Sequence, residues 1–359
     1  MNPTYALHDA GQSLWVDNIT RAMLDAGTLE RYVRDLCVTG LTSNPTIFDH
    51  AIAATHDYDA GIRARVAEGS RGEKLFFELA TEDLRRAADT FKLVHERTAR
   101  VDGWVSLEVS PLIAYDADAT IREAKSLYGQ VDRPNLFVKI PGTKEGLTAI
   151  EEVIFDGIPV NVTLLFSREQ YLAAANAYLR GIERRLQAGR HPVVGSVASL
   201  FVSRWDRAVR GQVPPALANK LGLAVAARTY RAYRDLLASD RWQRLANMGA
   251  RPQRLLFAST GSKDPAASDV IYVEGLAAPN TINTMPDATL LAYADHGQFR
   301  TILPADGGNA EDVLRAHTDQ GIDIEALAQR LSVEGAESFA ASWKDLLKSI
   351  ESKGAAHQT

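Results

Sequence analysis

The sequence has a single cysteine, Cys37, among 359 residues. No disulfide can form within the chain, and with no Cys or His at ligand spacing around it Cys37 reads as a core residue. Histidines are few and scattered, without an HxH or HExxH pair, so the usual zinc signatures are missing. No window approaches the ~18 apolar residues of a membrane span. The opening MNPTYALHDAGQSLWVD lacks a basic segment followed by an apolar one, so a cytoplasmic protein without a membrane partner is expected. Basic residues are dispersed through a chain of net charge −5, which argues against a nucleic-acid surface. Internal repeats, low-complexity segments and linkers are absent too.

What is present is a core-forming composition, 46% hydrophobic, at a length compatible with two average domains or one large α/β barrel. Eight short apolar, β-branched runs recur: 13–17, 36–45, 104–111, 135–141, 158–166, 192–201, 254–260 and 270–276. Helical patterns separate them, among them 73–97, 167–189 and 216–239. Ser167 is a candidate N-cap with Gln170 three residues on, and Gly189 a stop. Alternating strands and helices mean parallel βαβ units, and eight such units predict a closed (β/α)8 TIM barrel. The β2–β3 and β6–β7 gaps are long enough for extra helices. Residues 1–359 read as one domain, with a helical extension from about 300 to 359 at the C-terminus.

Lys139 stands inside one apolar run, NLFVKIP. Burying an unpaired ammonium costs several kcal/mol, roughly, unless it finds a partner or loses its proton. Strand alternation sets Leu136, Val138 and Ile140 on one face and Asn135, Phe137 and Lys139 on the other. The same rule groups Val105, Leu107 and Val109 against Ser106 and Glu108, and Val160, Val162 and Leu164 against Asn161 and Thr163. Asp17 falls with Trp15. The apolar faces suit packing under outer helices, so the barrel interior is expected to hold Asp17, Glu108, Lys139, Asn161 and Thr163. Polar groups at the C-terminal ends of barrel strands read as catalytic; the alternative is a buried ionic network that only shapes the interior.

A lysine dried among neutral amides should keep a free-amine fraction. Such an amine forms a Schiff base with a ketone, and the protonated imine permits cleavage of a C–C bond one carbon further out. Asp17 and Glu108 are the available proton shuttles. Asn44 and Asn161 could hold substrate hydroxyls and Thr163 could position a water; no metal is needed. A phosphate end would want cations and donors at loop or helix starts. Ser199, Ser203 and Arg204 follow or end strand 6, and Ser259, Thr260, Gly261, Ser262 and Lys263 follow strand 7, the usual phosphate position of such barrels.

The stretches LTSNPTIF, WVSLEVSP, NLFVKIPGTKEGLTAIEEVIFDGIPVNVTLLFS, ASLFVSRWD and LLFASTGSKDP together resemble the transaldolase family, from about Asp17 to about residue 290. The overall pattern is similar to its longer bacterial members. The resemblance implies a cofactor-free transferase of the pentose phosphate pathway, monomeric or homodimeric. It would move a dihydroxyacetone unit from sedoheptulose 7-phosphate to glyceraldehyde 3-phosphate, giving erythrose 4-phosphate and fructose 6-phosphate. It further implies Lys139 as Schiff-base lysine, Asp17 as acid/base, and Glu108 working through a water beside Thr163. Asn44 and Asn161 would bind the dihydroxyacetone unit, Ser199 and Phe201 line the same pocket, and Arg204 bind phosphate. Shorter members carry a second phosphate-binding arginine after strand 7. Here ASTGSKD has none, Ser259 keeps its place, and Lys263 is the candidate for the missing charge.

Asn283, Thr284 and Pro286 read as a loop after the last strand, either covering the barrel mouth or turning into a helix. His296 reads as a helix C-terminal residue, and Trp104, Trp205 and Trp242 as packing residues. The competing functions are a class I aldolase of the fructose-6-phosphate type, a sugar-phosphate-binding barrel without catalysis, and a metal-dependent barrel enzyme using Asp17 and Glu108 as ligands.

Overall fold

The computed structural model describes residues 2–356. Eight parallel strands close a barrel in sequence order, with the last paired to the first. They are β1 (Ser13–Asp17), β2 (Val38–Thr42), β3 (Trp104–Glu108), β4 (Leu136–Pro141), β5 (Val160–Leu165), β6 (Ser196–Phe201), β7 (Gln253–Ala258) and β8 (Ile282–Met285). The expected TIM barrel is present, with one strand reassigned. The run 270–276 is not the eighth strand: Ile271–Gly275 is a short helix. The strand is the following INTM, expected as a loop.

Helices over the connections bury the outward faces of the strands. Val105, Leu107, Leu136, Val138, Ile140, Val160 and Val162 all join the large outer core, as the alternation predicts. Leu164 does not. The β5–β6 register shifts between Val162 and Leu165, and Leu164 takes a left-handed φ of 59°. This bulge swings Leu164 into the second, inner core.

The lower, N-terminal half of the barrel is plugged by aromatic rings. Trp104 stacks on Phe137 with centroids 4.1 Å apart, and Trp15 stacks on Phe137 at 6.2 Å. Fully buried, side chains of this kind contribute about 1.5–3 kcal/mol each. Gly40 makes room for them, since a Cβ there would meet Trp15 Cε2 at 2.6 Å. Beneath the rings, Asp102 accepts a hydrogen bond from Trp15 Nε1 at 2.8 Å and another from Ser13 Oγ. Arg254 donates to Ser13 Oγ at 2.6 Å and to the Thr281 carbonyl at 2.9 Å, with its guanidinium 3.8 Å from Asp102.

Extra helices fill both long connections as expected: Pro45–Ala54, Asp59–Ala67 and Gly72–Arg97 between β2 and β3, and Ser203–Ala208, Leu221–Ala238 and Asp240–Asn247 between β6 and β7. Ser167 caps Arg168–Gln187 by accepting from Gln170 N at 3.1 Å, while Gln170 Oε1 accepts from Phe166 N at 2.7 Å. After β8 come Asp287–His296, Ala310–Thr318 and the 33-residue helix Ile324–Ala356. His296 ends the first of these. Trp104, Trp205 and Trp242 are buried, and Cys37 is half-buried against the outer core. No helix among the described residues is long and apolar enough to cross a membrane.

Candidate active site

The upper, C-terminal ends of the strands enclose a pocket of about 700 Å³. Asp17, Asn44, Lys139, Thr163, Ser199, Phe201, Arg204, Ser259 and Lys263 all line it. Glu108 and Asn161 lie just beneath, fully buried. Parallel register explains the grouping: Glu108 pairs with Lys139, Lys139 with Asn161, and Asp17 with Thr42. Neighbouring strands therefore deliver these polar side chains at one height.

Lys139 is 4% exposed. It donates to the Ser43 carbonyl at 3.0 Å, and Glu108 Oε2 lies 3.1 Å from its amine. The amine is thus not isolated among amides, as the sequence suggested; a carboxyl group faces it across the β3–β4 pair. Burial pushes the Glu108 carboxyl above its ordinary value, and nearby Asp17 adds to this, although Lys139 opposes it. Burial also raises Asp17, against the pull of Lys139 and of the hydrogen bond that Thr42 Oγ1 donates to Asp17 Oδ1 at 2.8 Å. Thr42 Oγ1 in turn lies 2.8 Å from Thr284 Oγ1, so two hydroxyls from β2 and β8 orient the carboxylate. Neither Glu108 oxygen accepts an aligned hydrogen bond, and the buried Thr163 hydroxyl has no partner among the described residues. Buried polar atoms are rarely left so.

The amides are already half committed. Asn161 Oδ1 accepts from Ser199 Oγ at 2.7 Å, and its amide donates to Ser106 Oγ at 3.1 Å. Asn44 caps Pro45–Ala54 by accepting from Ile47 N at 3.1 Å. Asn44 also lines the pocket, and its NH2 group makes no hydrogen bond among the described residues.

Cations gather at one end. Arg204, at the start of Ser203–Ala208, has its guanidinium carbon 5.1 Å from the Phe201 ring centroid. No hydrogen bond or ion pair among the described residues engages it. Burial and nearby Arg207 lower its pKa, but a guanidinium stays charged in a protein. Ser259 follows β7 with φ 55°, and its hydroxyl meets that of Ser203 at 2.9 Å. Lys263 is exposed at the rim, where its charge is felt at Asp17.

Several lining residues escape a reading of the sequence. Arg207 adds a second arginine to the cationic end, while Thr284 enters from β8 rather than from a loop. Leu331, Glu334, Ser338 and Phe339 come from Ile324–Ala356. In sequence that helix shows only an amphipathic stripe, which any surface helix would carry.

The model of the transaldolase/fructose-6-phosphate aldolase family matches residues 14–350. Among curated proteins, the chain is 44% identical to a transaldolase of Saccharopolyspora erythraea, covering 96% of each chain. It is 44% identical to a transaldolase of Thermobifida fusca, covering 99% of each. It is 40% identical to transaldolase 2 of a Nostoc species, covering 98% of each. A lysine and two carboxylates inside a closed barrel, and a match along nearly its whole length, agree: the chain belongs to the transaldolase/fructose-6-phosphate aldolase family.

Proposed function

We propose that the protein is a transaldolase that carries a dihydroxyacetone unit between phosphorylated sugars through a Schiff base on Lys139. The observation that carries this reading is the Lys139–Glu108 pair at 3.1 Å, at the floor of a pocket also lined by Arg204, which forms no ion pair among the described residues.

The amine attacks the C2 ketone of a ketose phosphate such as sedoheptulose 7-phosphate. Glu108, whose carboxyl is disposed by burial to hold a proton, gives that proton to the carbonyl oxygen as the amine adds, takes one from nitrogen in its place and delivers it to the departing hydroxyl, ending ionised beside the iminium. The carbinolamine becomes an iminium ion with loss of water. Thr163, with its hydroxyl unengaged, steadies that water. Asp17 then takes the proton from the C4 hydroxyl as the C3–C4 bond breaks. The electron pair moves into the iminium, and an aldose phosphate departs. Reversal onto glyceraldehyde 3-phosphate forms fructose 6-phosphate. Asn44, Asn161 and Ser199 hold the hydroxyls of the bound three-carbon unit, with Phe201 against it. Arg204, Ser259 and Lys263 bind phosphate, joined here by Arg207.

The activity belongs to the non-oxidative pentose phosphate pathway and to the cytoplasm. Residues 1–359 act as one domain in this proposal, because the last helix supplies part of the pocket wall. The test is borohydride reduction in the presence of fructose 6-phosphate, followed by peptide mapping. A single adduct on Lys139 is expected; an adduct elsewhere, or none, overturns the proposal. Release of triose at full rate irrespective of acceptor would make the protein an aldolase instead.

A further inference from the structure

The helix Ile324–Ala356 takes no part in the chemistry above, yet it lies over it. Leu327, Leu331, Ala336, Phe339, Trp343 and Leu346 form its buried stripe. Midway along, Gly335 brings the helix down onto the barrel. A Cβ at that position would come within 3.0 Å of Leu164 and 3.3 Å of Arg204 Nη1. Leu164 is the residue that the β5 bulge turns inward, so bulge and glycine meet. One turn further on, the Phe339 ring centroid lies 5.7 Å from Lys139 Nζ and 5.8 Å from the Arg204 guanidinium carbon. The ring is 5% exposed. Beyond Phe339 the helix is pinned to the early helices. Trp343 Nε1 donates to Glu73 at 2.7 Å, Thr46 Oγ1 to Ser342 Oγ at 2.8 Å, and Lys353 to Asp59 at 2.6 Å.

We infer that Phe339 is a positioning residue that roofs the Lys139 adduct, shielding it from water until a phosphorylated aldehyde arrives. This rests on the Schiff-base reading proposed above. Between the two half-reactions the three-carbon unit remains on Lys139 as an enamine. Two events would waste it. A solvent proton adds to the nucleophilic carbon, restoring the iminium; water then adds to the iminium carbon and the C–N bond breaks. Free dihydroxyacetone leaves and the amine is regenerated. Bulk solvent reaching Lys139 drives both events, and the ring that flanks the amine restricts that access to the one water held beside Thr163. The same ring flanks Arg204, so an acceptor whose phosphate is held there reaches the enamine along an apolar wall. Transfer and waste are thus separated by a residue that itself carries no proton.

The experiment compares Phe339→Ala and Phe339→Leu with the parent. The readout is dihydroxyacetone released from fructose 6-phosphate without acceptor, divided by transfer to erythrose 4-phosphate. Phe339→Ala is expected to raise this ratio about tenfold or more and to raise KM for the acceptor more than it lowers kcat. Phe339→Leu, which keeps apolar bulk, is expected to stay near the parent. Gly335→Ala, which lifts the helix without touching the ring, should raise the ratio by less, and serves if Phe339→Ala does not fold. A parental ratio in both Phe339→Ala and Gly335→Ala, including equal losses of release and transfer, overturns the inference. Borohydride trapping on the parent separates the two claims, because failure there sinks the Schiff base whatever the ratios show.

Discussion

The barrel buries charge at both ends, and the two ends treat it differently. At the lower end Asp102 accepts from Trp15 and Ser13, and Arg254 donates to Ser13 and the Thr281 carbonyl. Each group has been given partners. At the upper end, among the described residues, Glu108 has a lysine at 3.1 Å but no aligned hydrogen bond, Thr163 has no partner, and the Arg204 guanidinium has no ion pair. The same interior thus contains one network that is closed and one left open. A closed network rigidifies the fold. An open one costs stability and persists where the missing partner is a ligand. Charge burial alone does not separate scaffold from site, and neither does a single unpartnered atom, since His95 Nε2 and Gln253 Oε1 at the lower end also have none among the described residues; what marks the upper end is that its unpartnered groups line or underlie one pocket.

Breaking each network in turn should sharpen that contrast. Replacing the upper lysine, Lys139→Met, should reduce turnover by on the order of 10⁴-fold or more and abolish the borohydride adduct, with circular dichroism unchanged. Its effect on stability is softened because the Glu108 carboxyl, already raised by burial, can stay protonated. The lower network should respond in the opposite way. Asp102→Ala removes the acceptor of the Trp15 indole and the Ser13 hydroxyl and the carboxylate facing Arg254, and is expected to destabilise by about 3–5 kcal/mol in urea unfolding while kcat of the folded protein stays near parental.

Between these extremes lies Glu108→Gln, expected to lower kcat by about 10²–10⁴-fold at little cost to the fold. Its stability should depend on pH with a definite sign. The folded carboxyl titrates above the ordinary 4.5, so its favourable contribution is complete below that value and is lost as pH rises through the folded pKa. Relative to the parent, Glu108→Gln should therefore gain stability as pH climbs past 4.5, read from urea midpoints at pH 4 and pH 8. The smallest effect belongs to a carboxyl at the margin of the upper end. Glu123 accepts from Ser110 N at 2.6 Å, near Glu73, and burial pushes it up to about 7. Glu123→Gln should be more stable than the parent above pH 7 by on the order of 1 kcal/mol, with the difference vanishing below pH 4.5.

Much of this architecture is legible in the sequence where period and chemistry coincide. Lys139, Glu108, Asn161 and Thr163 interrupt apolar strands on the inward phase, so alternation alone turns them to the lumen. What alternation cannot supply is register. That Glu108 stands directly across from Lys139 depends on pairing between strands, and the expectation of an amine among amides failed there. The eighth strand fails for a different reason. INTM is short and half polar because Thr284 serves the Asp17 hydroxyl chain and Asn283 accepts from Thr260 at 2.8 Å. The apolar Ile271–Gly275, buried at Tyr272 and Val273, imitates a strand, since periodicity cannot separate short buried helices from strands. Leu164 breaks phase through a single left-handed residue. Phe339 is invisible because its stripe reads as ordinary core and its partner Lys139 lies far away in sequence.

The long final helix also sets when the protein becomes useful. Lys139, Glu108 and Asp17 are all synthesised well before residues 324–356 emerge, and a barrel awaiting that segment leaves the Lys139 amine more open to the surroundings. On the Schiff-base proposal, competence arrives last, with the segment that completes the pocket wall, and a nick ahead of residue 324 should leave a chain able to capture a ketose but poor at passing it on.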